Sequence, residues 1–535
     1  MFQIEKYRWL LPGLIASVLV LSLITISISG ILEYANVQLM WEILRDDYIQ
    51  RIISFTIYQS LLSALLSILI ALPLALSVRK YTQYRAIKLI LSLAWLSFVL
   101  PVIIGVFAII KLHGVSGWFS HISVLFGYKK LEYIYGMNGI LLAHIFFNVP
   151  FAIRIILFSF NSVPPELWKI AIQNNFNRWN IFTVIEWPAI RHNLFITAAI
   201  IFSLCFTSFI VVLILGGGPK YSIIEVALYY ALKIEFNIDR AVSLGIIQIF
   251  IASCIVFVIL SFTKSFNIEP YTKLKLNSPN IESRKAIIYD AIMLIVALFI
   301  FLLPILALII SCLKAFSYHN IFANPGLLNS IYWTLILGLS SGIISIAISI
   351  MFLITIKKLI ITYKIKWLAN MLELSGNLIL ILPPILLGTG IFLSLRNMYN
   401  IQEIAPYIII GINSLTVIPF TLRIIGPEYL RVSYMYDKLF LAHNIKGIIR
   451  LLKYELPLLK GSFATAFAVA VTLSMGDLGL ISLFGSTEIR TLPLYIYQSL
   501  GSYRMDNASA GIFVLLILVL TIIFISEYFL GEKDD

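Results

Sequence analysis

Few side chains in this sequence could do chemistry, and their setting decides what that chemistry would be. Asp477 is the one carboxylate well inside a long apolar run. A charge near the centre of a bilayer costs about 2.5–3.5 kcal/mol on insertion scales, so an acid there is expected to face a bundle interior or a water-filled path. Such a carboxylate suits a cationic substrate ring. A structural hydrogen bond to a neighbouring helix, or a place nearer the outer interface, would account for it equally well. His144, Asn148, Asn413 and Ser414 are polar residues in other apolar runs. Contact between helices is the default role of each. Three consecutive glycines, Gly216 to Gly218, precede Pro219 and Lys220. The Gly-x-x-x-x-Gly-Lys-Ser/Thr order that cradles phosphate is missing, and the stretch reads as a turn that ends a helix. Cys205, Cys254 and Cys312 lie in or beside apolar runs and form neither a disulfide framework nor a metal-ligand spacing. No catalytic, metal or cofactor constellation emerges, and the chain is not expected to be an enzyme.

The elements that hold these residues follow from composition. The chain has 535 residues, 60% hydrophobic and only 12% charged. A soluble domain needs about 25% charged residues, so most of the outer surface must face lipid. Roughly 20 apolar residues make one helical span, and lipid-exposed backbone must be satisfied within the helix. Twelve spans are expected: Leu10–Ile28, Ile52–Leu76, Ile90–Ile110, Ile140–Phe160, Leu194–Leu215 and Ala241–Phe262, then Ile288–Ile310, Ile331–Ile356, Leu374–Leu395, Tyr407–Ile424, Phe463–Leu483 and Ala510–Ile525. The first run is read as a retained helix, because it is long for a signal core and lacks a small-residue cleavage site.

The net charge is +13, but the basic residues are spread over many short loops, which argues against a nucleic-acid partner. With the N-terminus in the cytoplasm, 27 of the 39 Lys and Arg residues fall on that side. The positive-inside rule then places both termini and the Lys264–Lys285 linker in the cytoplasm.

The chain repeats itself. Pro150-Phe151-Ala152-Ile153-Arg154 returns as Pro419-Phe420-Thr421-Leu422-Arg423, 269 positions on. The same shift carries Asn175 onto Asn444 and Pro188 onto Pro457. Pro101 and Gly105 match Pro384 and Gly388 at a slightly different offset. Six helices per half make the repeats parallel, arranged about an axis along the membrane normal. The expected divisions are a first half at 1–263, a linker at 264–287 and a second half at 288–535.

Each half carries one long cytoplasmic loop between its fourth and fifth spans. In the first, Asn161 and Ser162 can cap a helix, with Pro164 and Pro165 in its opening turn. Leu167, Ile170, Ala171 and Asn174 share a face, and Asn175 suits a left-handed C-terminal position. A second short helix, Trp179 to Trp187, is expected to end at Pro188.

These loops resemble the cytoplasmic Glu-Ala-Ala loop of ABC-importer permeases. The first copy reads Lys169-Ile170-Ala171 with Asn175 and then Ile185-Glu186-Trp187-Pro188; the second reads Lys438-Leu439-Phe440 with Asn444 and then Tyr454-Glu455-Leu456-Pro457. Lysine stands in place of the family's glutamate and asparagine in place of its glycine. The segments 139–150, 184–191, 215–219, 475–485 and 490–504 make the whole chain similar to the fused, two-half permeases of thiamine ABC importers. That resemblance implies an all-α membrane protein with the type I importer fold, seated in a bacterial inner membrane. It implies two ATPase subunits bound at the loops through Lys169, Ala171, Asn175, Pro188, Lys438, Asn444 and Pro457, and a periplasmic binding protein that delivers thiamine or its phosphates. The rival readings are a ferric-iron permease of similar form and a twelve-helix secondary transporter, which would not carry the paired loops.

Overall fold

The computed structural model describes residues 8–160, 163–262, 284–316, 324–445 and 447–530. Asn161, Ser162 and most of the linker lie outside the described residues, so the expected cap and the half boundary are not seen. Among the described residues every regular element is a helix. Eleven helices among the described residues are long and apolar enough to cross a bilayer, and the shorter Pro384–Leu395 takes the place of the remaining expected span.

The first half comprises α1 (Leu11–Glu33), α2 (Asp47–Lys80), α3 (Arg85–Val99), α4 (Val102–His113), α5 (Met137–Ser159), the loop helices α6 (Pro165–Gln173) and α7 (Arg178–Ile181), then α8 (Trp187–Phe206), α9 (Phe209–Leu215), α10 (Ile224–Lys233) and α11 (Ile238–Phe262). The second comprises α12 (Arg284–Phe316), α13 (Pro325–Lys357), α14 (Lys366–Asn377), α15 (Pro384–Leu395), α16 (Ile401–Ala442), α17 (Gly447–Arg450), α18 (Lys460–Met475), α19 (Gly479–Phe484), α20 (Leu492–Gly501) and α21 (Met505–Leu530).

The third and fifth spans, expected to be continuous, are broken in both halves. The third breaks at Leu100-Pro101 and at Leu382-Pro383, where the residue before each proline is extended. A proline lacks an N–H and pushes its predecessor out of the helical region. The fifth breaks at Thr207-Ser208 and at Gly476 to Leu478. The fourth span of the second half departs the other way. Expected over Tyr407–Ile424, it runs unbroken through Ile401–Ala442 and so forms the start of the loop itself. Where the first half has Pro164-Pro165 the second has Ser433-Tyr434, which leaves the helix free to continue.

Packing between apolar helices in lipid depends on close approach and polar contacts rather than on a solvent-driven term. The first helix of each half lies against the other half: α1 packs on α13 and α15, and α12 on α2, α3 and α4. Gly30 of α1 meets Gly390 of α15 so closely that an added Cβ would collide with the Gly390 carbonyl. Ser27 Oγ donates to the Leu387 carbonyl (3.0 Å), and the Gly13 N–H donates to Thr355 Oγ1 (2.9 Å). The halves repeat in detail. Thr56 Oγ1 accepts from the Ile224 N–H (3.2 Å), and Thr334 Oγ1 accepts from the Leu492 N–H (2.7 Å).

Candidate functional site

Two constellations recur at the same place in both halves: the loop between the fourth and fifth spans, and the break in the fifth span.

In the first loop α6 ends in a Schellman arrangement. Asn175 is left-handed (φ 50°), its N–H donates to the Ile172 carbonyl (3.0 Å), and the Phe176 N–H donates to the Ala171 carbonyl (3.0 Å). Asn444 takes the same conformation (φ 54°), and the Ile445 N–H donates to the Phe440 carbonyl (2.8 Å). Asparagine tolerates this region better than other residues with a Cβ. The buried face of α6 differs from the expected one. Ala171 is buried, but Leu167, Ile170 and Asn174 are exposed, and Trp168 fills the interior with Ile181 and Ile185. The large Trp168 ring wins the interior because a guanidinium, Arg79, covers it. Lys169, Lys438, Asn175, Asn444, Pro188 and Pro457 are all exposed.

Pro188 does not end a helix. A π-turn, Phe182–Glu186, runs directly into α8, and Pro188 sits in the first turn after it. Leu451–Glu455 forms the equivalent π-turn before Pro457. The wider turn accommodates the N–H that proline cannot donate.

Each π-turn closes on a buried carboxylate. Glu186 pairs with Arg79 of α2, both side chains under a tenth exposed. Glu455 pairs with Lys357 of α13 (2.8 Å) and accepts from Arg450 Nε (2.7 Å) and Tyr429 Oη (2.9 Å). Arg450 also bridges to Asp437 (2.7 Å). Burial pushes the Glu455 carboxyl up, but the Lys357 and Arg450 charges and their hydrogen bonds outweigh it and hold the group below the ordinary carboxylate range. Both loops are thus pinned by an ion pair to the second span of their own half. Both glutamates lie inside the loop motifs, where no local pattern marks their role. Their common 269-residue spacing was the available signal.

At the fifth-span break of the first half, Ser208 Oγ (2.8 Å) and Gln59 Nε2 (2.8 Å) both donate to the Cys205 carbonyl. The side chains thereby satisfy backbone that the break frees. Ser63 Oγ lies 2.8 Å from His144 Nδ1, and Asn148 Nδ2 donates to Cys205 Sγ (3.2 Å). In the second half, Asp477 stands where the first has Ser208. It lies between α18 and α19 rather than within a continuous helix, and Oδ1 accepts from the Gly479 N–H (3.1 Å). With Thr334, Asn413, Ser474 and Thr491 it lines a cavity of about 10 Å³, the room one water needs. Ser414 lies apart, with its hydroxyl donating to the Ile410 carbonyl (2.6 Å). The break abuts the other half: a Cβ at Gly476 would stand 2.9 Å from Pro101, and Lys233 Nζ donates to the Leu483 carbonyl (3.0 Å).

Spanning helices, broken at mid-course and joined to repeated surface loops, define the class: a multi-pass integral membrane transport permease. No protein-family model matches the chain. It is 35% identical over 528 residues to the thiamine transport system permease protein ThiP of Salmonella typhimurium, covering 98% of this chain and 97% of that one. Against the protein of the same name from Escherichia coli it is 34% identical over 527 residues, with the same coverage. A putative ferric transport system permease protein, FbpB 1 of Haemophilus influenzae, is 27% identical over 195 residues, 36% of this chain. The chain belongs to the family of thiamine transport system permease proteins.

Proposed function

We propose that this chain is the membrane subunit of an ATP-driven importer in a bacterial inner membrane, carrying thiamine or its phosphates. Its two halves, 1–263 and 288–535, flank one central path, and both termini and the 264–287 linker are cytoplasmic. ATP is hydrolysed by a separate subunit, two copies of which dock on the two loops, and an external binding protein delivers the substrate. The ferric alternative rests on a likeness to about a third of the chain, and a secondary transporter has no need of paired loops.

The observation that carries this reading is the loop pair itself. Both copies have the left-handed asparagine, the π-turn and the buried carboxylate–cation pair. Both also expose apolar side chains, Leu167, Ile170 and Trp179 in one and Met435, Leu439 and Leu452 in the other. Such surface suits a permanent protein partner. Movement of a docked ATPase would reach α2 through Glu186–Arg79 and α13 through Glu455–Lys357. Since packed helices shift as units, the loops would then bias the second spans between two arrangements. Asp477, at the break in the fifth span, is the carboxylate assigned in this reading to a cationic ring on the path.

Cysteines at positions 175 and 444, one at a time, should crosslink to the ATPase in membranes that take up thiamine. Crosslinks confined to the opposite face would refute the docking. Reporter fusions active only outside the cytoplasm should be silent after Lys275 and active after Lys220.

A further inference from the structure

The two loops are pinned alike to their own halves, but among the described residues the first is also tied by an ion pair to the other half. Asp290 of α12 belongs to the second half, is 2% exposed, and is surrounded by donors from the first. Ser77 Oγ (2.9 Å) and Arg178 Nη2 (3.0 Å) donate to Oδ1, and Lys80 Nζ (2.8 Å) and Tyr81 Oη (3.3 Å) donate to Oδ2. Arg178 opens α7, inside the first loop, and its guanidinium also covers the ring of Tyr289, the neighbour of Asp290 (4.7 Å).

Among the described residues the second half shows no counterpart. Arg178 corresponds, at the 269-residue spacing, to Gly447, which carries no side chain and is left-handed (φ 64°). Ser77 corresponds to Thr355, at the spacing that relates Arg79 to Lys357. Thr355 Oγ1 meets the crossing helix of the other half only at backbone: it donates to the Trp9 carbonyl (3.1 Å) and accepts from the Gly13 N–H (2.9 Å). Trp9 stacks on Tyr363 (4.5 Å). Among the described residues, the crossing helix α1 thus offers the second loop no charged anchor like the one α12 offers the first.

We infer that Asp290 is a positioning residue that fixes the first loop to the second half, and that the two loops therefore transmit ATPase movement unequally. A buried carboxylate held by two cations and two hydroxyls is a stiff joint, because its withdrawal from them would leave buried charge uncompensated. Movement of the first loop reaches α2 through Arg79 and α12 through Asp290. Among the described residues, movement of the second reaches α13 through Glu455 and meets no charged anchor on α1. The inference rests on the docking proposed above.

The test uses the full complex in proteoliposomes, with wild type, Asp290→Asn, Arg178→Gln and the double variant. ATP hydrolysed per thiamine taken up should rise about threefold or more in each single variant. The double should be no worse than either single, as expected of two groups in one interaction. Cysteines at 175 and 444 supply a second readout that a merely structural role would not move: Asp290→Asn should abolish the ATP dependence of the crosslink at 175 and leave that at 444 intact. Should Asp290→Asn lower the amount of protein, Arg178→Gln decides, because Asp290 then keeps three donors. Wild-type ratios in variants of normal abundance, additive effects in the double, or equal changes at both crosslinks would each overturn the inference. A wild-type complex that crosslinks at both positions but takes up no thiamine would defeat the substrate assignment alone.

Discussion

Glu455→Gln is the sharpest probe of what holds the second loop. The carboxylate is the common acceptor for Lys357, Arg450 and Tyr429, and its side chain is 2% exposed. An amide preserves shape but removes the charge. Arg450 retains Asp437, whereas Lys357, 9% exposed, loses its counter-charge and is left with neutral partners, the Tyr429 hydroxyl and ring and the amide oxygen. Breaking a buried pair from one side costs about 3–5 kcal/mol, and the surviving contacts place this case near the lower end. Removing both charges in Lys357→Met with Glu455→Leu should recover part of that loss, since apolar replacement of a buried pair is often neutral or stabilising, while the Tyr429 hydroxyl and Arg450 Nε lose their acceptor. The assay is thermal melting of detergent-purified protein, followed by monodisperse elution. Single substitution should lower the melting temperature and the double should restore it in part. Acid supplies a further check. The Glu455 carboxyl lies below its ordinary value of 4.5 in the folded protein, so its contribution is complete above that value and is lost as pH falls through the folded pKa. The gap between wild type and Glu455→Gln should therefore be constant from pH 6 to 8 and close in acid below 4.5. A single variant that melts like wild type, or a double no better than the single, would refute the reasoning.

Two other substitutions follow from local geometry. Asn175→Gly should be tolerated in abundance and uptake, because glycine adopts the left-handed turn freely; Asn175→Val should cost roughly 1–2 kcal/mol and lower abundance and uptake, and the same contrast is expected at Asn444. Asp477→Asn should leave abundance and ATPase assembly intact while thiamine uptake falls; reduced abundance would assign the residue to structure, and normal uptake would remove it from the path.

The apolar spans, the two-half repeat and the left-handed asparagines were legible because they are written in local terms: apolar length, a fixed offset and a residue type suited to one backbone conformation. The breaks in the third and fifth spans were not. Pro101 announces one of them, yet Thr207-Ser208 carries no breaker, and its stability comes from Gln59, distant in sequence, reaching the Cys205 carbonyl. The fused helix Ile401–Ala442 holds Pro406, Pro419 and Pro427 inside it, breakers that packing overrides, and nothing local marks its continuation beyond Ile424. Glu186 and Glu455 stood in plain view inside a motif. What they bind, Arg79 and Lys357, lies about a hundred residues away, and no local pattern points to either.

The two ion pairs also show what the repeat preserves. Arg79 lies between the rings of Phe160 (4.3 Å) and Trp168 (4.7 Å), faces that favour a planar, weakly hydrated guanidinium. At the corresponding positions the second half has Tyr429 and Asp437. There the cation is Lys357, a compact and strongly hydrated charge that needs hydrogen-bond acceptors more than a stack. Tyr429 supplies a hydroxyl to it (3.0 Å), and Asp437 holds a second cation, Arg450, against the same glutamate. Arg450 takes the place of the buried Ile181. An aromatic sandwich has thus been exchanged for a charged network of four side chains, while the glutamate closing the π-turn is unchanged. The retained element is the carboxylate at the loop exit, tied to the second span; the means of desolvating its partner is free to vary. Arg79→Lys alone should therefore fare poorly, because Phe160 offers no hydroxyl, whereas Arg79→Lys with Phe160→Tyr should recover abundance toward wild type. Equal abundance for the single and double variants would show that the aromatic position does not set the choice of cation.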